Sequence, residues 1–352
     1  MNRRTAITVV SALILVATAG LLIAGPLTPP AGPVTSTYKP LSDVEPRIAI
    51  NAVNTPGDSS SVFLITQPGS YYLTGNVQGV AGKHGIQIIA SNVTVDLNGF
   101  AVIGAPGSLD GITSTDDTVT AVKVCNGSVR GWGNQGIDLF GSGFVVEDVT
   151  VQQSVIGMRL GPQSRVLRCT ASDNTGSGIS IGAFSQVISC VAVNNQTSGI
   201  FAGDNSLVAE CIAASNLGPG IVVALGSTVR ACVARSNSSD GIRANAANLL
   251  IDNVCSGNGA GAGDGAGINV TGSDNRIERN NCIANDRGID VDASGNVILG
   301  NTCSGNTVNW ALVANNVYGP IVDRTAPASA AVSGNAAADA SGSTHPQANF
   351  SY

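Results

Sequence analysis

Short hydrophobic runs alternate with polar residues and glycine along most of this chain, and the alternation has the period of a strand and not of a helix. Val187, Cys190 and Ala192 show it within one stretch. At larger scale the pattern returns every 21 residues, in Gly136-Ile137, Gly157-Met158, Gly178-Ile179, Gly199-Ile200, Gly220-Ile221 and Gly241-Ile242. Gly267-Ile268 follows after 26 residues, Gly288-Ile289 after 21, and Asn309-Trp310 takes the same slot 21 later; upstream, Gly85-Ile86 and Gly111-Ile112 extend the series at spacings of 26 and 25. A period of this length predicts a solenoid, here of about eleven turns.

Other columns repeat in step with the glycine. Ser164, Ser185, Ser206 and Ser227 are continued by Asn248, Asn275 and Asn296. Five residues on, Cys169, Cys190, Cys211 and Cys232 are continued by Asn253, Asn280 and Asn301; five further on stand Asn174, Asn195, Asn216, Asn237, Asn258, Asn285 and Asn306. Each repeat therefore supplies short strands separated by tight turns, and the arrangement that stacks identical columns at the spacing of hydrogen-bonded strands is a right-handed parallel β-helix. Stacked asparagines can satisfy one another's amides at the bends. Asparagine itself tolerates the left-handed backbone of a turn, and the repeating glycine is expected to supply the same freedom. A leucine-rich repeat shares the repeat length and the Asn or Cys ladder, but these repeats lack its leucines and are too rich in Gly, Ser, Thr and Asn for a helix on each turn.

Composition fits a thin solenoid. The 352 residues include 44 glycines and 31 asparagines but only 4% aromatics, so the core is expected to be narrow and built from Val, Ile, Ala and Cys. A net charge of -6 with three lysines argues against nucleic acid as a partner. Residues 1–24, with Arg3 and Arg4 before an apolar run, read as a signal peptide, cleaved after Ala17-Thr18-Ala19, or as an uncleaved anchor; either places the protein outside the cytoplasm, secreted, periplasmic or on the cell surface, with no other membrane segment. Residues 25–40 are a proline-rich spacer, 41–61 an N-terminal cap, 62–323 the β-helix and 324–352 a low-complexity, disordered tail. In the cap, Ser42-Asp43-Val44-Glu45 followed by Pro46 predicts a short helix plugging the first turn. The cysteine columns point inward on in-register parallel strands, a poor geometry for disulfides, so mostly buried free thiols are expected.

The segments Pro68-Gly69-Ser70-Tyr71-Tyr72-Leu73, Asn92-Val93-Thr94-Val95-Asp96-Leu97-Asn98-Gly99-Phe100 and Asn126-Gly127-Ser128-Val129-Arg130-Gly131-Trp132, with the repeat pattern from about Val62 to Asp323, resemble bacterial secreted β-helix proteins of the pectin-lyase-like superfamily, carbohydrate-associated type. The resemblance implies a fold and a preference for extracellular polysaccharide; it does not imply an activity.

Chemistry is thinly distributed. A lyase needs a basic residue and a cation or arginine to neutralise a carboxylate; a hydrolase needs paired carboxylates. Two residues after each column glycine an outward position carries Asp138, Arg159, Ser180, Phe201, Val222, Arg243, Asn269 and Asp290. If the chain is an enzyme, the candidates are Asp116, Asp117, Asp138 and Arg159; an exposed ion pair is the competing reading for the last two. The paired aspartates 116 and 117 resemble those of polygalacturonases, but the Gly-His-Gly and Arg-Ile-Lys elements of that family, and the Asp-Pro-His-Asp element of alginate epimerases, are absent. Binding candidates are Phe201, Arg243 and Asp290, with Trp132 and Trp310 as further sugar-stacking platforms. No cofactor is required, although Asp264, Asp286, Asp290 and Asp292 could approach a calcium ion. The sequence thus favours a non-catalytic polysaccharide binder or cell-surface structural module, with a polysaccharide lyase or glycoside hydrolase as the alternative.

Overall fold

Alternating apolar residues need one buried face, and a turn of three short strands gives each its own wall around a common interior. The computed structural model describes residues 45–259, 265–323 and 345–352, of which Arg47–Tyr352 form one compact unit. One turn is made by Met158–Leu160, Arg165–Leu167 and Thr170–Ser172. The next repeats it with Ile179–Ile181, Gln186–Ile188 and Val191–Val193, stacked in parallel so that Met158 meets Ile179, Val166 meets Val187 and Ala171 meets Ala192. First strands of the turns form a twelve-stranded sheet, and the other two walls form a sheet of 24 strands. The interior is a narrow column of Val, Ile, Leu, Ala and Cys. Among the described residues there is no helix long and apolar enough to cross a membrane.

The three polar columns sit at the three corners. In the third, the Asn195 amide donates to Asn216 Oδ1 at 3.0 Å, and the Asn195 side-chain Nδ2 donates to the same oxygen at 3.0 Å. The serine column repeats this with hydroxyls, Ser164 N donating to Ser185 Oγ at 2.9 Å. Where one residue type gives way to another the chain of bonds continues, Ser227 N to Asn248 Oδ1 at 2.7 Å and Cys232 N to Asn253 Oδ1 at 3.0 Å. Corner groups that a bend would orphan are therefore satisfied by their own copies.

The left-handed backbone falls one residue before each ladder position, on Gln163 (φ 58), Arg168 (φ 52) and Asp173 (φ 56) in one turn, and not on the ladder asparagines. The column glycines serve a different end from the one their repetition suggests. A Cβ on Gly178 would stand 2.7 Å from Asn195 Nδ2 and 2.8 Å from the Gly199 carbonyl oxygen, so glycine is needed there for close approach to the ladder.

All eight cysteines are free and buried. Thiols of the first column donate to carbonyls, Cys190 Sγ to Ile188 O at 3.3 Å, and accept the preceding amide, Cys169 N to Cys190 Sγ at 3.4 Å. Burial pushes the Cys303 thiol well above its ordinary value, so it stays protonated.

Both ends differ from the sequence reading. The capping helix expected over 42–51 is replaced, in its described part, by the strand Ile48–Ile50, which pairs with Tyr71–Leu73. Ile48 is exposed and Ile50 buried, so the apolar run satisfies a two-residue alternation against the first wall and gains ladder bonds that a helix could not make. The strand Ser61–Ile65 adds a first turn beyond the eleven, with Phe63 opposite Ile86. At the far end residues 324–344 lie outside the described residues, but Asn349–Ser351, expected in the tail, is a strand between Thr302–Ser304 and Ile321–Asp323. Asn349 accepts the Asn301 amide at 2.9 Å and so completes the second ladder. The signal or anchor segment, the spacer and Ser42–Val44 also lie outside the described residues.

Candidate functional site

The strands from Ile86 to Ile289 in the twelve-stranded sheet carry the Gly-hydrophobic pair, with the hydrophobic residue inward, so the next residue projects from the outer face. The register stacks these residues in one line from Thr113 through Asp138, Arg159, Ser180, Phe201, Val222, Arg243 and Asn269 to Asp290. Polar groups gather at two places along it.

Near the N-terminal end Arg159 grips Asp138 with both arms of its guanidinium, Nε to Oδ1 at 2.8 Å and Nη2 to Oδ2 at 2.6 Å. This hydrogen bonding raises the Arg159 pKa, and the charge of Asp110 adds to it. Asp138 is 8% exposed, while the Arg159 side chain that grips it is 46% exposed, so the pair is half-buried. With Ser114, Thr115 and Phe140 it lines a cleft of about 240 Å³. Phe140, four residues after its column glycine, is 55% exposed and presents a ring at the rim. One turn before Asp138, Asp110 Oδ2 lies 3.0 Å from Nδ1 of His84, which stands one turn earlier still, while Asp110 Oδ1 accepts the Gln135 amide at 3.0 Å. The Thr113 hydroxyl, opposite Asp138 in register, is buried and makes no hydrogen bond.

Asp116 and Asp117 stand on the exposed turn just beyond Thr115 and are not among the residues lining this cleft. Hydrogen bonds from the Thr118 hydroxyl (2.7 Å) and amide (2.8 Å) hold the Asp116 carboxyl below the usual range, which is the work of a turn cap.

The second gathering lies near the C-terminal end, in a cleft of about 320 Å³ lined by Asp240, Arg243, Asn269, Thr271, Arg287, Asp290 and Asp292. Arg243 Nε donates to Asp240 Oδ2 at 2.7 Å, and Asp240 Oδ1 accepts the Ala266 amide at 2.9 Å. Two turns on, Arg287 and Asp290 make the same pair with the charges exchanged. Between them Asn269 donates from Nδ2 to Asp292 Oδ2 at 3.1 Å. Arg243 and Asp290 therefore meet in one site, and Phe201, 40% exposed, stands on the line between the two clefts.

Among the described residues no three His, Cys, Asp or Glu side chains converge as metal ligands; Asp264 lies outside those residues. Trp132 is no platform: it is 2% exposed and donates from Nε1 to the Val102 carbonyl at 3.1 Å. The sequence reading missed Phe140, Asp110, Asp240 and Arg287. A signal was present, because the last three all occupy the position before the column glycine.

A family model described as "Right handed beta helix region" matches residues 76–231. Among solved structures the chain is similar to the A-module of the mannuronan C-5 epimerase AlgE6 of Azotobacter vinelandii, at 15% identity over 77% of this chain and 86% of that one, with a TM-score of 0.63. The AlgE4 A-module of the same organism gives 16% identity, 72% and 87% coverage and a TM-score of 0.55. The Dettilon tailspike protein gives 18% identity and a TM-score of 0.59; 74% of this chain spans 60% of that one. No protein of curated function matches the chain. At these identities the likeness shows the fold, a right-handed parallel β-helix.

Proposed function

We propose that this chain is an exported β-helix protein that holds an extracellular polysaccharide against the outer face of its twelve-stranded sheet without turning it over. The observation that carries the reading is the closure of Asp138 by Arg159, repeated in the Asp240–Arg243 and Arg287–Asp290 pairs. Guanidinium N–H donors take two of the carboxylate's lone-pair positions and fix it in place, an arrangement that suits holding a ligand better than shuttling a proton. Such pairs still offer N–H donors and carboxylate acceptors at fixed positions, the groups that sugar hydroxyls require. Phe140 adds an apolar surface for a ring. A polysaccharide ligand also agrees with the likeness to a mannuronan epimerase.

One feature favours a second reading, a polysaccharide lyase or glycoside hydrolase in the N-terminal cleft: the His84–Asp110 pair is a histidine oriented by a buried carboxylate. Glycan-array binding, combined with reducing-end and unsaturated-product assays on uronate and neutral polymers, separates the two. Binding without product is the expected result. Turnover that disappears in His84→Ala or Asp138→Ala would establish the enzyme instead, and neither binding nor turnover would leave a structural module of the cell surface.

A further inference from the structure

The two clefts are collinear, because the register that stacks the strands also stacks their outward side chains. Asp138 and Asp290 are joined by seven successive strand pairings, each in register. At about 4.8 Å for each pairing the separation is about 34 Å. Between the clefts the line carries Ser180, Phe201 and Val222, with no charged side chain and with the Phe201 ring 40% exposed. Clefts of about 240 and 320 Å³ each have room for only a short part of a sugar chain, so a polymer held here would occupy both.

Charge narrows the ligand further. The N-terminal cleft is lined by one aspartate and one arginine, which cancel. The C-terminal cleft has two arginines and three aspartates, a net of -1. Arg159 and Arg243 are each already paired with a buried aspartate, so neither cleft presents an uncompensated positive charge to an anionic sugar. A neutral sugar needs no such charge.

Resting on the binding reading above, we propose that this face is a linear track for one extended, uncharged polysaccharide chain, anchored in both clefts at once and steadied on Phe201. A pyranose unit in an extended chain advances by a distance comparable to one strand spacing, so an oligosaccharide shorter than about seven units reaches only one cleft. Longer chains engage the second cleft intramolecularly, which raises affinity by about a hundredfold or more without any new type of contact.

The test is calorimetric titration of the full chain with neutral manno-, gluco- and xylo-oligosaccharides of increasing length, and with oligogalacturonates of matched lengths. A neutral series should bind weakly and almost independently of length, then tighten about a hundredfold near seven units. Arg243→Ala combined with Asn269→Ala should return long chains to the short-chain affinity while leaving the shortest ones bound at the other cleft. Circular dichroism and the thermal transition of that variant establish that it is folded. Affinity rising smoothly with length, a step that survives the double substitution, or galacturonates binding tighter than neutral chains of equal length would overturn the proposal. Failure of every glycan to bind would instead remove the binding reading on which it rests.

Discussion

Asn216→Ala tests whether the corner ladders hold the solenoid together. Asn216 is fully buried, at 0% exposure. Its Nδ2 donates to the Ala192 carbonyl at 3.2 Å and to Asn237 Oδ1 at 2.9 Å, and its Oδ1 accepts the Asn195 amide and side chain, both at 3.0 Å. Alanine removes all four. Asn195 Nδ2 keeps the Ala171 carbonyl and Asn237 Oδ1 keeps the Asn216 amide, so the Asn195 N–H is the group left stranded. A buried orphan costs about 1–3 kcal/mol, and the lost donor bonds and the void add about 1–2 kcal/mol. The expected loss is about 4 kcal/mol. Urea unfolding followed by far-UV circular dichroism, with Trp132 and Trp310 fluorescence as reporters near the two ends, measures it against Ser238→Ala on the exposed surface, expected within about 0.5 kcal/mol. Asn216→Asp keeps the acceptor and loses the donors, so it should be less stable at neutral pH than in acid, where a protonated carboxyl can donate again. A cost for Asn216→Ala below about 1 kcal/mol would refute the ladder argument.

Three further outcomes follow from the same geometry. Gly199→Ala should cost about 2–3 kcal/mol in the same urea assay, since its Cβ would lie 2.6 Å from the Gly220 oxygen and 2.7 Å from Asn216 Nδ2. Ala231→Gly should stabilise by about 0.5 kcal/mol, because Ala231 holds φ 52 and glycine relieves the left-handed strain at some entropic cost; a loss of stability would mean that the Ala231 methyl contributes more than the strain. Hydrogen bonds from the Ser61 hydroxyl and from Ser60 pull the Asp58 carboxyl from 3.8 down to about 2. The unfolded chain therefore takes up this proton first, so the contribution is complete above about pH 4 and lost as pH falls through about 2. Asp58→Asn should flatten that part of the acid unfolding profile, and an unchanged profile would count against the assignment.

Much of this could be read from the chain because a solenoid writes its contacts as repeats. The glycine series and the Ser, Cys and Asn columns mark the three corners, since each residue's partner is its own copy one turn away. The ends were less legible. Ser61–Ile65 has no Gly-Ile pair and joins the sheet through Phe63, and Asn349 reaches the ladder 48 residues after Asn301, at a spacing no repeat predicts. The site was half legible. Position two after the glycine located Asp138, Arg159, Phe201, Arg243 and Asp290, but whether a carboxylate is closed by an arginine depends on rotamers on neighbouring turns. Phe140 and Trp132 show the same limit, because exposure rather than residue type decides which ring can meet a ligand.

The ladders also bear on how such a molecule can change its length. An asparagine amide gives and receives at once, so every turn presents the same pair of half-bonds above and below. Even the Cys232–Asn253 joint closes, because each upper residue needs only an acceptor beneath its amide, although at the Ser227–Asn248 joint the Asn248 Nδ2 is left without a partner. A duplicated 21-residue unit could therefore enter the stack and find both neighbours already complementary, with no compensating substitution elsewhere. Growth by tandem copying then becomes the easy evolutionary step, and the distance between two features on the outer face becomes a quantity that heredity can adjust one turn at a time.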